Sequence, residues 1–521
     1  MSAPCPEVPR PRRAGAAGVL GRRRQPLDAP ARGRVPRPSP RALEPVRHRV
    51  LGALQLLRHA GDARGARRQP PSSPHLSEKE AYEQAALTYG GYTAMVYMTG
   101  ILGGLIADRI LGYRRAILLG GVLMAIGLFM LMAPDLTTFL FGLAFIVVGN
   151  GLFKPNISTM VGQLYAPADP RRDAGFTIFY MGINAGAFLA PIVCASVVGQ
   201  LYGYRWGFFT AAVGMLLGLM MLRAAQGLAR QRRCAAARPP PARIADLAAT
   251  TLGMGALVLP VYFLLGNARL LGGLLLALMA GLVLWFVWSG ARAGRMQLHR
   301  YLAMLILFVA NVLFWSLFEQ AGSSLNFLAR DHVRMPEVTV LGWQPTFEAF
   351  QAVNPIFIIL LAPVFATLWV RLDRAGWNPS IPRKFALGLA GAALGFYVLV
   401  LAASHFPGED GRIGWEWLTL AYLLHTMGEL CLSPIGLAMV TKLAKPEETG
   451  LAMGGWFLSI AMANFLAGQI AAYTVGGVGE EAASLAQYGE AFLNLAIAGG
   501  AAALLFLLAA PLINRLMHGV R

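Results

Sequence analysis

From residue 76 onward the apolar residues of this chain do not alternate with polar ones at helical or strand spacing. They come in long blocks: 85–107, 115–133, 136–154, 174–198, 205–223, 243–265, 269–289, 301–320, 351–371, 384–403, 416–441, 451–475 and 490–513. A helix needs roughly 20 apolar residues to cross a bilayer. Within hydrocarbon every backbone polar group must find its partner inside the segment, which leaves the helix as the spanning form for blocks of this length. The pattern predicts an all-α integral membrane protein of thirteen spans, with the lipid bilayer as its solvent.

Composition agrees with the pattern. Of 521 residues, 56% are hydrophobic and 14% charged, against about 25% charged in a soluble globular chain. The mean hydropathy is +0.53. The interspan segments alternate in character. Arg114–Arg115, Arg171–Arg172, Arg223–Arg243, Arg292–Arg300, Arg371–Lys384, Lys442–Lys445 and Arg515–Arg521 are basic, whereas Glu409–Asp410 and Glu480–Glu481 are acidic. Basic loops are retained in the cytoplasm, so one orientation satisfies them all, with the C-terminus cytoplasmic. The net charge of +19 is therefore read as topology. It comes with no nucleic-acid-binding module.

Cys5, Cys194, Cys234 and Cys431 lack ligand-like spacing, and two of them fall in apolar blocks as small hydrophobes. No metal and no cofactor is expected. The chain carries no Walker motif, no HExxH and no recognisable nucleophile–base set, so no catalytic residue is assigned and no enzyme is expected.

The orientation meets a conflict at the N-terminus. Sixteen arginines and four acidic residues precede Pro70, and thirteen spans with a cytoplasmic C-terminus would put this basic stretch outside. A fourteenth span before residue 76 would resolve the conflict, yet nothing in 1–75 is apolar enough to be one. Nor is there a signal-peptide core. By composition alone the stretch reads as disordered and rich in Pro and Arg.

Charges inside the hydrocarbon are costly, so ionisable residues there are functional candidates by default. Three stand out: Lys154, Glu319 and Glu429. Lys154 closes a block and is followed by Pro155, which is expected to interrupt the helix. A lysine snorkelling to the interface fits the same position. Glu319 lies one turn beyond Trp315, on the same helical face. A carboxyl in low dielectric suits reversible protonation, and a structural helix-capping carboxyl is the alternative. Glu429 can hold an ammonium by a charge-assisted hydrogen bond, or belong to a buried polar network without ligand. His425, one turn earlier, is read as structural. Gly103–Gly104 and Gly182/Gly186 are expected to permit close helix approach.

Four passages carry a family resemblance: YGGYTAMVYMTGILGGLIADRILGYRRA (89–116), GNGLFKPNISTMVGQLY (149–165) with RRDAGFTIFYMGINAGAF (171–188), LFWSLFEQAGSSLNF (313–327) and GELCLSPIGLAM (428–439). They resemble the proton-dependent oligopeptide transporters of the major facilitator superfamily, in their prokaryotic form. The resemblance implies two six-helix bundles plus two inserted helices. The organisation expected is 76–225 for the N-terminal bundle, 226–300 for a linker with the inserted pair and 301–521 for the C-terminal bundle. It also implies uptake of di- and tripeptides across the bacterial cytoplasmic membrane, driven by protons.

By the same resemblance Lys154 receives the peptide carboxylate and takes part in proton coupling with Glu319. Glu429 beside Asn354 holds the α-amino group, and Tyr97, Asn184, Trp315 and Trp456 line the pocket. Gly103, Asp108, Arg109, Gly112, Arg114 and Arg115 resemble the superfamily's conformational loop motif, although a purely topological role fits those arginines as well. Another small solute, such as nitrate or a drug, on the same scaffold is the alternative cargo.

The family's first-helix motif, E-x-x-E-R-F, is missing. Codons permitted by Arg49 to Ala60, read one nucleotide later, spell E-F-W-E-R-F-S-Y-Y-G-M-R. The same frame permits mostly Leu, Val and Ala from Asp62 to Pro74. Residues 1–75 are therefore read as a segment in which a frameshift has replaced the first helix. A product inactive for want of that helix is the further alternative.

Overall fold

The computed structural model describes residues 78–162, 171–230, 244–338, 344–475 and 483–520. The frameshifted segment expected at 1–75 lies outside them. Each of the thirteen apolar blocks is helical. Among the described residues twelve helices are long and apolar enough to cross a bilayer, and Thr251–Leu265 forms a shorter apolar stretch.

We number the helices α1 (Glu78–Ile106), α2 (Tyr113–Met130), α3 (Leu136–Gly162), α4 (Arg171–Ala190), α5 (Tyr204–Arg230), α6 (Ile244–Leu265), α7 (Ala268–Ala293), α8 (Arg295–Phe318), α9 (Ser324–His332), α10 (Val353–Arg374), α11 (Ile381–His405), α12 (Trp415–Leu443), α13 (Thr449–Val475) and α14 (Leu485–Leu516). A wider turn, Ala107–Leu111, ends α1, and another, Pro191–Gly199, extends α4. A tight turn, Glu319–Gly322, joins α8 to α9. Another, Phe347–Ala352, leads into α10. The two-residue strands β1 (Val333–Arg334) and β2 (Ile413–Gly414) pair in parallel.

Packing sorts the helices into two sets. In the first, α3 packs on α1 and α2, and α5 on α2. In the second, α11 packs on α12 and α14, and α8 packs on α13 and α14. The largest buried side chains, including Trp456, Tyr301, Phe314, Phe385, Phe396 and Phe492, belong to the second set. The inserted helices divide between the sets: α6 lies on α3, while α7 lies on α8 and α13.

The two sets meet along α1 and α13 and along α4 and α10. The α1–α13 seam is close because both sides are glycine. A Cβ on Gly90 would stand 2.6 Å from the Gly468 Cα. Polar pairs cross between the sets at one end of the molecule. Tyr82 donates to Asp331 at 2.7 Å, the Ser196 and Thr346 hydroxyls are 2.5 Å apart, and Tyr204 donates to Glu348. That end is closed.

Two packing expectations need correction. Pro155 does not interrupt α3, which runs through it to Gly162. The carbonyl that loses its donor is Gly151 O, which lies against Gly103, where no side chain intrudes. Asn156 then ties the turn to α1, donating to Gly103 O at 3.2 Å and to Leu152 O at 2.7 Å. Breaks at proline are tolerated in membrane helices where neighbours satisfy the freed groups. Secondly, Gly103 does allow close approach, against Gly151, but Gly104, Gly182 and Gly186 have no described atom within 4 Å of where a Cβ would sit.

Candidate functional site

The three intramembrane charges lie on two sides of one seam. Lys154 comes from α3, and its Nζ stands 4.0 Å from the centroid of the Tyr97 ring on α1. The ring face is electron-rich, so it holds the ammonium without neutralising it. The positive charge remains available to an anion.

Glu319 comes from the second set, at the end of α8, where the helix gives way to the tight turn Glu319–Gly322. It lies within electrostatic range of Lys154, and the Asn464 amide of α13 is beside it. Gln320, fully buried, donates to Ser316 O at 3.0 Å and Ala467 O at 3.1 Å, anchoring the turn to α13. The sequence pattern places Glu319 with Trp315 on a continuing helix. The structure keeps the two one turn apart, since the Glu319 N–H bonds Trp315 O, and breaks the helix only beyond them, at Ser323, whose φ −133° and ψ −97° are not helical.

Glu429, 8% exposed, points from α12 toward α10. Asn354 Nδ2 donates to its Oε2 at 3.0 Å and to Thr426 Oγ1 at 3.0 Å. The amide thus orients the carboxylate and leaves it acceptor capacity for a ligand cation. Tyr180 of α4 reaches into range of Glu429 from the first set. Asn184, one turn along, donates to Tyr180 O at 3.0 Å. Trp315 packs edge-on against Phe314 and Phe318, and its buried Nε1 has no partner among the described residues.

The arrangement therefore offers an ammonium from one helix set and two carboxylates from the other, with Glu319 in electrostatic range of both Lys154 and Glu429. A ligand carrying separated opposite charges would complement it, and so would a proton shared with either carboxylate.

Other expected residues lie elsewhere. Trp456, 2% exposed, is packed between Phe308 and Phe385 in the core of the second set, with Gly436 making room for its ring. His425 Nε2 donates to Ala392 O, 3.1 Å away on α11, and the ring faces Phe396. It thus turns away from the Glu429–Asn354 contact.

In the loop motif Gly112 adopts φ 71°, which favours glycine. Asp108 sits in the wider turn and accepts from Tyr113 at 2.5 Å, within its own helix set. Arg109, Arg114 and Arg115 follow at the same end. Tyr89, Tyr180 and Asn464 were not singled out by sequence reasoning. The YGGY run at 89–92 was the available signal for Tyr89, whereas Asn464 sits in an apolar block and becomes notable only beside Glu319.

Comparison with known proteins converges on one family. The model of the POT family (PTR2) matches residues 114–483. The chain is 38% identical over 409 residues to the peptide transporter YePEPT of Yersinia enterocolitica, covering 74% of this chain and 79% of that protein. It is 34% identical over 443 residues to dipeptide and tripeptide permease B of Xenorhabdus bovienii, covering 84% and 89%. It is 34% identical over 440 residues to the uncharacterized transporter YclF of Bacillus subtilis, covering 82% and 85%. Among solved structures, peptide transporter POT in complex with sulfate superposes with a TM-score of 0.72 at 35% identity, covering 91% of this chain and 94% of that one. A POT family transporter in complex with 5-aminolevulinic acid superposes at 0.71 and 28%, covering 90% and 93%.

Proposed function

The chain belongs to the POT family, a multi-pass membrane transporter family, and on that premise we propose that it takes up di- and tripeptides together with protons by alternating access. The observation that carries the reading is the opposition of Lys154 on Tyr97 to Glu429 on Asn354, across the seam between the two helix sets. A short peptide is a zwitterion with its charges several ångströms apart, and unlike charges placed on opposite sides of the seam suit its two ends. Relatives described as dipeptide and tripeptide permeases support the same cargo.

In this reading Lys154 receives the peptide carboxylate, while Glu429 and Asn354 hold the amine. Tyr97, Tyr180, Asn184 and Trp315 supply the walls. Glu319 carries the proton, in partnership with Lys154. Neutralising a carboxylate in low dielectric removes the cost of bringing the two sets together, and ligand binding shifts the population toward the closed arrangement. The sets are the bundles 76–225 and 301–521, joined by the linker 226–300 that holds α6 and α7. The protein sits in the bacterial cytoplasmic membrane with its C-terminus inside, so the end closed by Tyr82–Asp331 faces outward. Gly103, Asp108, Arg109, Gly112, Arg114 and Arg115 form the inner conformational loop. No cofactor enters the scheme, since the proton gradient drives it.

A second reading has one observation in its favour. Gly182 and Gly186 have no described atom within 4 Å of where a Cβ would sit, so the described helices leave room for a further helix there, and a chain without such a helix would bind without coupling.

The test is uptake into proteoliposomes with an inwardly directed proton gradient. Dialanine is expected to accumulate above its outside concentration and to be competed by other dipeptides but not by nitrate. Glu319→Gln is expected to abolish accumulation while sparing exchange. Unchanged accumulation in both Glu319→Gln and Glu429→Gln would overturn the assignment. Exchange without accumulation in the unmodified chain would favour the second reading.

A further inference from the structure

A helix that stops inside a membrane leaves carbonyls without donors, and each is costly unless another group meets it. The junction after α8 is such a place, and its freed carbonyl is met from two other helices. Gln351 Nε2 donates to Ala321 O at 2.6 Å, and Tyr422 OH donates to the same oxygen at 3.3 Å. Gln351 also reaches Asn326 Oδ1 at 3.4 Å, beyond the break, so it spans the junction. On the α13 side, Ser324 Oγ donates to Gln320 Oε1 at 2.7 Å. Above the turn, a side chain at Gly322 would run into the Tyr89 ring of α1. The break is thus held by the second helix set and covered by the first.

The same two residues lead to Glu429. The Tyr422 carbonyl accepts from Thr426 Oγ1 at 2.7 Å, and Thr426 Oγ1 accepts from Asn354, whose amide also donates to Glu429. Asn354 follows Gln351 by three residues at the start of α10, one turn away. Glu319 begins the broken turn itself. A displacement of the Glu429 carboxylate therefore moves Asn354 and Thr426, and through them the two donors that hold the Ala321 carbonyl two residues from Glu319.

We propose that Gln351 and Tyr422 are positioning residues that hold the break beside Glu319 and couple it to the Glu429 site. The proposal deepens the transport reading above and rests on it for the roles of the two carboxylates. The break is the element that both sites bias, which is the physical requirement for coupling between them. With Ala321 O held, α9 is angled away from α8. With it released, the carbonyl has no partner until the turn closes toward a continuous helix. Neither positioning residue touches a transported proton.

The test is hydrogen exchange of the full chain in lipid nanodiscs, read at the amides of residues 323–326 without any peptide. Gln351→Met with Tyr422→Phe keeps the side-chain volumes and removes both donors. This double variant is expected to speed exchange there by about tenfold while leaving the α11 amides unchanged. Glu429→Gln alone is expected to change the same amides at least about threefold, and to lose that effect in the double-variant background, as coupled sites do in a double-mutant cycle. Equal effects of Glu429→Gln in both backgrounds, or unchanged exchange in the double variant, would overturn the proposal. If the double variant exchanges faster throughout α11, the single Tyr422→Phe replaces it. That single variant is expected to give about threefold at 323–326 alone, and no change would count against the proposal. Dialanine, added separately, is expected to slow these amides in the unmodified chain and not in the double variant. A chain that binds no dialanine at all refutes the peptide reading, while the coupling is still judged by the Glu429→Gln cycle.

Discussion

The Lys154 ammonium lies 4.0 Å from the centre of the Tyr97 ring, so among the described residues this cation rests on an aromatic face. A cation–π contact of this kind contributes about 0.5–1 kcal/mol where water has access. Tyr97→Phe keeps the ring and is expected to change dialanine affinity less than about twofold. Tyr97→Leu removes the ring and is expected to weaken binding by about two- to fivefold. Tryptophan-quenching titrations check both, and equal losses in the two variants would point to the hydroxyl instead of the ring.

Glu429 accepts from Asn354 at 3.0 Å and keeps its remaining lone pairs for a ligand cation. A hydrogen bond to a charged group contributes about 1.5–3 kcal/mol, so Glu429→Gln is expected to weaken binding of a dipeptide by about tenfold or more. N-acetylated dialanine, which has no ammonium, is expected to bind weakly and equally to both forms. A titration in which the acetylated peptide suffers the same loss would detach Glu429 from the amine.

The close contact of Gly90 with Gly468 lies on the α1–α13 seam. Gly468→Val puts branched carbons where backbone now stands, and overpacking of this kind is strongly unfavourable. The seam is expected to part. A cysteine at Tyr82, which meets Asp331 in the closed end, should then react with a membrane-impermeant maleimide at least about tenfold faster than in the Gly468 background. Unchanged labelling would mean that the seam absorbs the added bulk.

Outside the spans, Arg334 and Asp410 pair at 2.7 Å beside the β1–β2 bridge. The hydrogen bond from Arg334 lowers the Asp410 carboxyl to about 2, from an ordinary 3.8. A depressed carboxyl contributes stability above its unfolded value and loses it as pH falls through the folded one. The pair is therefore expected to hold throughout pH 5–8 and to loosen only between about 4 and 2. Because both groups are exposed, Asp410→Asn should leave the melting temperature unchanged. A pH-dependent melting shift above pH 5 that disappears in Asp410→Asn would contradict this.

Residues 1–75 pose a question for the DNA. A reading of E-F-W-E-R-F-S-Y-Y-G-M-R one nucleotide out of frame is expected in the codons of residues 49–60. If the unmodified chain exchanges without accumulating, as in the second reading above, correcting that frame is expected to restore gradient-driven accumulation. Codons that do not permit the shifted reading would remove the frameshift, and the arginine-rich stretch would then be the native one.

Much of this protein was legible in one dimension. Thirteen apolar blocks are helices because hydrocarbon leaves a peptide backbone no other way to satisfy itself over such lengths. The block ends were off by several residues, as at α1, which starts near residue 78 and runs on into a wider turn. Helical ends continue beyond the hydrocarbon, where hydropathy no longer marks them. Lys154, Glu319, Asn354 and Glu429 were also visible, since charged and amide groups stand out against an apolar background.

What only the tertiary structure decided is which of these groups meet. Sequence spacing put Trp315 and Glu319 one turn apart, as the Glu319 N–H bond to Trp315 O has them, but did not mark the break that follows at Ser323, where Gln351 and Tyr422, distant in sequence, meet the exposed Ala321 carbonyl. Proline after Lys154 suggested a broken helix, and a glycine on the neighbouring helix let it continue. Trp456 carried the same motif weight as Trp315 but is sealed in the core. The sequence by itself determined that this chain crosses a membrane many times and which few polar groups it carries there, because burial in hydrocarbon acts residue by residue. The partners of those groups depend on contacts between helices far apart in the chain, and those exist only once the helices have packed.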